Sequence, residues 1–192
     1  MIVLYTGRRG AGKTLTMVKD AYKYLKNGWR VYSNMENHKY STFIKNDEIL
    51  KIDKNSPIKN CVLMIDEAQI LFESSNFMSK NNKNFSHFIQ QIRKRNIIML
   101  VTTQFAKRVD TRMREHTDIL AKPRFNKDYQ VVKVEYIDLT SVEDDDFETP
   151  MNSTTIVYNP NPLFKAFNTE EMIQWTKKKI ITIVIVTLFL NK

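Results

Sequence analysis

The sequence predicts an α/β fold in which a mostly parallel sheet lies between layers of helices, three layers in all. Apolar runs without an interruption occur at residues 2–5, 61–65 and 97–101. Runs of this kind are typical of parallel strands that are buried on both faces. Helical patterns separate these runs, and strands that alternate with helices are typical of right-handed βαβ units.

A glycine-rich segment follows the first apolar run. It reads Gly7-Arg8-Arg9-Gly10-Ala11-Gly12-Lys13-Thr14. A strand, a glycine-rich turn and a helix in this order place a nest of backbone N–H groups around the phosphates of a nucleotide. The spacing therefore predicts a phosphate-binding loop, in which Lys13 reaches the β- and γ-phosphates and Thr14 ligates Mg²⁺.

The elements after this loop follow from periodicity. Apolar residues recur at helical spacing from Leu15 to Leu25, and Asn27-Gly28 closes that helix. Residues 29–33 predict a second strand that ends in Asn34. Residues 40–56 are polar and rich in lysine, which predicts a surface helix and loop.

The second half of the chain predicts one more helix and further strands. Residues 76–84 are polar and predict a loop, and the apolar spacing from Phe85 predicts a helix that runs to about Arg95. Beyond Pro123, residues 129–139 and 155–158 predict strands. The five carboxylates at 143–146 and 148 predict a solvated loop between them.

Two adjacent carboxylates, Asp66 and Glu67, follow the apolar run 61–65. Ligands of parallel sheets bind at the carboxyl ends of the strands, which is where this pair falls. We expect Asp66 to hold Mg²⁺ through its water shell and Glu67 to orient and deprotonate an attacking water. A solvated turn is the plainer alternative. A positioned base favours hydrolysis over transfer of a phosphoryl group to a small molecule.

Gln104 ends the run that begins at residue 97, and we expect it to sense the γ-phosphate or to hold the lytic water. A polar strand end without a catalytic role is the alternative. Residues 108–114 offer arginines that could neutralise charge in the transition state. Arg112 is the first candidate for such an arginine finger and Arg114 the second. Arg93 and Arg95 suit either DNA contacts or plain surface positions.

Composition and charge narrow the class of protein. With 192 residues, of which 42% are apolar, the chain can bury one substantial core and is not a disordered protein. The net charge of +9 favours an anionic partner, either nucleic acid or an anionic membrane surface. The single cysteine, Cys61, excludes an intramolecular disulfide and suits a reducing compartment. The scattered histidines argue against a structural metal site. The absence of a signal-peptide pattern predicts a cytoplasmic chain.

The chain divides by composition into residues 1–175 and a basic, then apolar, tail at 176–192. Residues 180–190 are almost wholly apolar and follow three lysines at 177–179. Eleven helical residues span about 16 Å, against a hydrocarbon core of about 30 Å, so they do not form a complete transmembrane helix. A buried strand, an interfacial anchor and part of a longer membrane segment all remain open.

Several of these stretches together resemble a known family, over most of residues 1–175. The most specific are Asp66-Glu67-Ala68-Gln69 at the end of an apolar strand and the strand that ends in Gln104. The stretches at 29–34, 109–112 and 163–171 fit the same pattern. The chain resembles the zonular occludens toxin-like branch of the FtsK/HerA superfamily, whose members are phage and virus assembly and DNA-packaging ATPases. Arg95-Asn96 departs from the family pattern, which often has a basic residue followed by glycine there.

The resemblance implies a RecA-like core, ATP with Mg²⁺ as the cofactors, and a homo-oligomeric ring of six subunits that hydrolyses ATP between neighbours. It implies that DNA is moved or extruded, with single and double strands both open. In family members that act in morphogenesis a membrane segment follows the ATPase domain. By this resemblance, residues 180–190 would contact a membrane or virion. Two alternatives are a nucleotide-regulated scaffold without turnover and a small-molecule kinase.

Overall fold

The computed structural model describes residues 1–36, 38–74, 82–104, 113, 115–140 and 152–164. They form one eight-stranded sheet with helices on both faces, which confirms the predicted three-layer α/β fold. The strands are β1 Ile2–Thr6, β2 Arg30–Ser33, β3 Thr42–Phe43, β4 Cys61–Ile65, β5 Ile97–Thr103, β6 Ile119–Asn126, β7 Val131–Asp138 and β8 Ser153–Tyr158. The helices are α1 Lys13–Lys26, α2 Asn46–Leu50, α3 Ala68–Ser74, α4 Asn82–Lys94 and α5 Asn161–Phe164.

The strand order brings the predicted site residues to one edge of the sheet. The order is β3-β2-β4-β5-β1-β6-β7-β8, and the six strands from β3 to β6 are parallel. The last two strands, β7 and β8, run antiparallel to their neighbours. Because β2, β4, β5 and β1 are consecutive in the sheet, the polar residues after each of them meet at the carboxyl edge.

The core lies on both faces of the sheet, because alternate residues of the central strands point to opposite sides. Leu4, Leu63 and Met99 belong to one buried cluster, which also contains apolar residues of α2, α3 and α4. Val3, Val62 and Leu100 belong to the cluster on the other face, beneath α1. Residues 61–65 are buried throughout, as expected for a strand covered on both faces. Cys61 lies in this core, and burial raises its pKa to about 11.

One local prediction needs correction, and some elements were not predicted from the sequence. Residues 82–84 belong to α4 rather than to the predicted loop. The sequence did not indicate α3, which is short, or β6, which contains Pro123. Proline has no backbone N–H to donate. It is tolerated at position 123 because β6 pairs with β1 only from Ile119 to Ala121, so no hydrogen bond to β1 is lost there.

Arg95 holds a loop at the amino edge of the sheet, opposite the phosphate loop. Its guanidinium donates hydrogen bonds to the backbone carbonyls of Lys54, Ser56 and Ile58. These contacts give Arg95 a structural role, which differs from both expected roles, a DNA contact and a plain surface position. Asn96 follows with a φ of 53°, in the left-handed region that asparagine tolerates better than most residues. This explains how Arg95-Asn96 can replace a basic residue and a glycine.

Several predictions concern residues outside those described: Arg112, Arg114, the acidic stretch at 143–148 and the tail at 176–192. The division at residue 175 therefore stays a prediction. Within the described part of the chain, no helix combines the length and apolar character needed to cross a membrane.

Candidate nucleotide-binding site

The predicted phosphate loop joins β1 to α1. Its turn is closed by a hydrogen bond from the Ala11 N–H to the Arg8 carbonyl at 3.1 Å. Gly12 is the N-cap residue of α1 and has a φ of 93°, and its carbonyl accepts the first helical bond, from the Thr16 N–H at 2.9 Å. A Cβ at Gly12 would lie 3.3 Å from both γ-methyl groups of Val132 on β7. Backbone conformation and packing against β7 therefore both favour glycine at this position.

Lys13 lies at the start of α1, within reach of the loop and of the acidic pair. Its ammonium donates a hydrogen bond to the Arg8 carbonyl at 3.2 Å. Burial lowers the pKa of Lys13, while the nearby charges of Asp66 and Glu67 act in the opposite direction. The lysine thus provides a partly desolvated cation at the point where a nucleotide would place its phosphates.

The Asp66 carboxylate receives two hydroxyl groups from neighbouring elements. Thr14 Oγ1 donates to Asp66 Oδ1 at 3.0 Å, and Thr102 Oγ1 donates to the same oxygen at 2.6 Å. Burial raises the pKa of Asp66, and these two hydrogen bonds counteract the rise. The strand order thus brings Thr14 and Asp66, the two predicted metal residues, into direct contact.

A hydroxyl and a carboxylate at this spacing fit Mg²⁺, which prefers oxygen ligands and is commonly held by one or two carboxylates together with substrate phosphates. Within the described ranges, no three His, Cys, Asp or Glu side chains form a group that could hold a metal by themselves. Thr14 and Asp66 are the described residues that would hold such a metal.

Glu67 and Gln104 lie side by side at the carboxyl edge. Glu67 is exposed and has a φ of 51°, an uncommon conformation for a residue other than glycine. Its carbonyl accepts a hydrogen bond from the Ile70 N–H at 2.8 Å, at the start of α3. Gln104 Nε2 lies 3.4 Å from Glu67 Oε1. The two predicted catalytic side chains, which follow β4 and β5, are thus neighbours.

Two site residues escaped the sequence-based prediction of function, namely Asn34 and Thr102. Asn34 Oδ1 accepts a hydrogen bond from the Asp66 N–H at 2.8 Å, and its Nδ2 donates to the Asp66 carbonyl at 3.1 Å. The same Nδ2 donates to Asn46 Oδ1 at 3.1 Å. The available signal was position alone, since Asn34 follows β2 and Thr102 follows the apolar run 97–101.

The chain that carries these residues is similar to known proteins. The family model of zonular occludens toxin (Zot) matches residues 1–170. The chain belongs to the zonular occludens toxin family. No match was found among curated proteins. A crystal structure of the N-terminal domain of zonular occludens toxin from Neisseria meningitidis superposes with a TM-score of 0.60 at 20% identity, over 82% of this chain and 93% of that one.

Two further solved structures share the fold. The flagellar accessory protein FlaH from Methanocaldococcus jannaschii matches with a TM-score of 0.53 at 15% identity, over 82% of this chain and 84% of that one. The RadB recombinase matches with a TM-score of 0.52 at 12% identity, over 80% and 85% of the two chains. This member of the Zot family therefore has the RecA-like fold of P-loop ATPases, a fold that binds nucleotides.

In this Zot-family chain a buried polar network ties α1 to the antiparallel strands. Asp20 on α1 accepts hydrogen bonds from the hydroxyl of Tyr5 at 3.0 Å and from that of Tyr136 at 2.7 Å. Lys19 and Lys23 form ion pairs with its other oxygen at 3.1 and 3.2 Å. Burial and the Asp20 charge raise the pKa of Tyr136 well above its usual value, so this hydroxyl stays a donor.

A second contact joins the edge strand β8 to the first turn of α1. Thr16 Oγ1 donates to the Gly12 carbonyl at 2.8 Å and lies 2.9 Å from the hydroxyl of Tyr158. Because the threonine has one hydroxyl proton, Tyr158 is the donor when Thr16 bonds Gly12. The phosphate loop is therefore held from β7 and β8 as well as from β1.

Proposed function

We propose that this chain is a Mg²⁺-dependent ATPase of the FtsK/HerA type that acts on DNA as a ring of subunits, in viral or phage DNA packaging or virion assembly. The observation that carries the proposal is the contact between the phosphate loop and the acidic pair, through Thr14 and Asp66 at 3.0 Å. Glu67 supplies a base and Gln104 an amide at the same edge. A module that only bound nucleotide would have no use for this base.

In the proposed reaction, the phosphate loop and Lys13 bind the β- and γ-phosphates of ATP. Thr14 and Asp66 would hold Mg²⁺, which neutralises phosphate charge when bound. Glu67 accepts a proton from a water molecule whose oxygen attacks the γ-phosphorus. The bond from the γ-phosphorus to the bridging oxygen breaks, and ADP and phosphate leave. Gln104 orients the Glu67 carboxylate or the water.

The proposed partners follow from charge and from the family. A net charge of +9 supports binding to DNA, whose phosphates attract lysine and arginine without regard to sequence. A ring would allow Arg112 or Arg114 of one subunit to act on ATP bound by its neighbour. The proposed location is the host cytoplasm. The tail at 176–192 is the proposed contact with a membrane or virion.

The ATPase assay tests the chemical part of this proposal. We expect the wild type to release phosphate from ATP only with Mg²⁺ present. Lys13→Ala should abolish binding or turnover, and Glu67→Gln should keep ATP binding and lose hydrolysis. Lys59→Ala and Glu135→Gln are matched controls away from the loop and should hydrolyse ATP at the wild-type rate.

Three results would contradict the proposal in different ways. Turnover by Glu67→Gln at the wild-type rate would remove its role as the base. ATP binding by the wild type without hydrolysis would favour the nucleotide-regulated scaffold. Release of phosphate only in the presence of a small-molecule hydroxyl acceptor would favour the kinase.

A further inference from the structure

Thr102 is buried next to the acidic pair formed by Asp66 and Glu67. It is the sixth residue of β5, and only 1% of its surface is exposed. Its neighbours come from the adjacent strand β4, which ends directly before Asp66. A threonine here is unlike the preceding residues of β5, which are all apolar. The buried hydroxyl therefore needs partners within the protein.

This hydroxyl group both donates and accepts a hydrogen bond, and both bonds are made with the acidic pair. Its proton is donated to Asp66 Oδ1 at 2.6 Å, the shortest hydrogen bond described at the site. Its oxygen accepts the Glu67 N–H at 2.9 Å. One side chain thus fixes the carboxylate of the first acidic residue and the backbone of the second.

The backbone of Glu67 needs such support. Its φ of 51° costs free energy for a residue with a side chain, and such conformations persist where surrounding contacts hold them. Thr102 holds the N–H of Glu67, and Ile70 holds its carbonyl. The direction in which the Glu67 carboxylate leaves the backbone therefore depends on Thr102.

We infer that Thr102 is a positioning residue that orients Asp66 for the metal and Glu67 for the attacking water through a single hydroxyl group. Gln104 differs, since its hydrogen bond to the acidic pair is made to the side chain of Glu67. The inference rests on the proposed ATPase function. It adds that metal-dependent nucleotide binding and hydrolysis depend on the same buried side chain.

The test compares Thr102→Val with the wild type. Valine keeps the shape of threonine and removes the hydroxyl. We expect the affinity for a fluorescent ATP analogue to stay within about twofold in EDTA, because the phosphate loop is intact. With Mg²⁺, the affinity should fall by about tenfold or more, and kcat should fall as well, since a hydrogen bond to a charged group is lost.

Thr117→Val is the matched control. Thr117 is also buried, and its hydroxyl donates to the Met113 carbonyl at 2.8 Å, next to the amino end of β6. Both variants should lose thermal stability. Only Thr102→Val should change the dependence on Mg²⁺, which a merely structural role would leave unaltered.

A second pair of variants tests the role of the Thr102 hydroxyl if Thr102→Val does not fold. Thr102→Ser and Thr102→Ala both lose the methyl group and differ only in the hydroxyl. Serine should restore Mg²⁺-dependent binding and turnover, and alanine should not. Equal binding and turnover by the serine and alanine variants, or wild-type behaviour of a folded Thr102→Val, would overturn the inference. If the wild type binds the Mg²⁺-nucleotide without hydrolysing it, the proposed ATPase function fails while the binding comparison still tests Thr102.

Discussion

Asparagine serves two different purposes in this chain. Asn96 tolerates the left-handed backbone at the turn before β5, with a φ of 53°. Asn34 acts through its amide group, which pairs with both backbone polar groups of Asp66. In both cases a short polar side chain does at a strand end what an apolar residue cannot. The acidic pair is consequently held from β2 by Asn34 and from β5 by Thr102.

The first prediction concerns Asn34→Ala. This change removes the hydrogen bonds to the N–H and the carbonyl of Asp66. We expect the free energy of unfolding to fall by about 1–3 kcal/mol, because partly buried backbone groups lose their partner. ATP turnover should fall too, because the acidic pair is no longer fixed relative to Thr14. Urea denaturation and the ATPase assay measure the two effects.

Asn46→Ala is the control for this prediction. It removes the outer contact of the Asn34 amide, at 3.1 Å, and leaves both bonds between Asn34 and Asp66 in place. Turnover should therefore stay close to that of the wild type. An equal loss of turnover in both variants would show that Asn34 acts through α2 rather than through Asp66.

At the scale of elements, the antiparallel strands do more than extend the sheet. Val132 on β7 packs against the position of Gly12, and Tyr136 on the same strand donates to Asp20 on α1. Tyr158 on β8 reaches Thr16, one turn into α1. Burial raises the pKa of Tyr158 to about 12, so its hydroxyl remains protonated at neutral pH. The helix that begins at the phosphate loop is thus anchored by β7 and β8.

The second prediction tests this anchoring with Tyr136→Phe. The variant loses one hydrogen bond to the charged Asp20 and keeps the ring. We expect a loss of about 1.5–3 kcal/mol in the free energy of unfolding, measured by urea denaturation. Tyr129→Phe is the control, since Tyr129 is 67% exposed, and it should stay within about 0.5 kcal/mol of the wild type. Equal stability of the two variants would contradict a role for the Asp20 network.

At the scale of the whole molecule, the net charge of +9 leads to the third prediction. DNA binding should be electrostatic and independent of sequence. The affinity for a labelled DNA should fall steeply between 50 and 200 mM salt, by about 10³-fold or more if six or more phosphates are contacted, because each neutralised phosphate releases counterions. Fluorescence anisotropy with single- and double-stranded DNA measures this. An affinity that does not depend on salt, or a strong preference for one short sequence, would count against a motor that handles a whole genome.

The fourth prediction concerns hydrolysis between subunits. Arg112→Ala subunits keep the phosphate loop, and Lys13→Ala subunits keep the arginine. Each alone should be inactive, and mixed rings should regain part of the ATPase activity, because some interfaces combine one intact loop with one intact arginine. Phosphate release from the mixtures measures the effect. If mixed rings form and stay inactive, Arg112 is not a finger that acts on the neighbour, and Arg114→Ala should be tested in the same way.

The sequence by itself predicted the parts of the candidate site that are contiguous in the chain. The phosphate loop needs only a strand, eight residues and a helix in succession, and Asp66-Glu67 needs only a buried strand before it. Buried parallel strands likewise show as apolar runs, so β1, β4 and β5 were found and the fold class was confirmed. Elements without such a pattern were missed, among them the short helix α3 and the eight-residue strand β6, in which Lys122, Pro123 and Arg124 interrupt the apolar residues.

Only the tertiary structure decided which distant residues meet. Asn34 and Thr102 lie 32 and 36 residues from Asp66, and Tyr136 lies 116 residues from Asp20. The order of strands in the sheet brings these groups within hydrogen-bonding distance, and that order depends on how the whole core packs. A polar residue at the end of an apolar run shows that a partner is needed. Because a hydrogen bond requires about 3 Å between two specific atoms, local sequence does not show which partner it is.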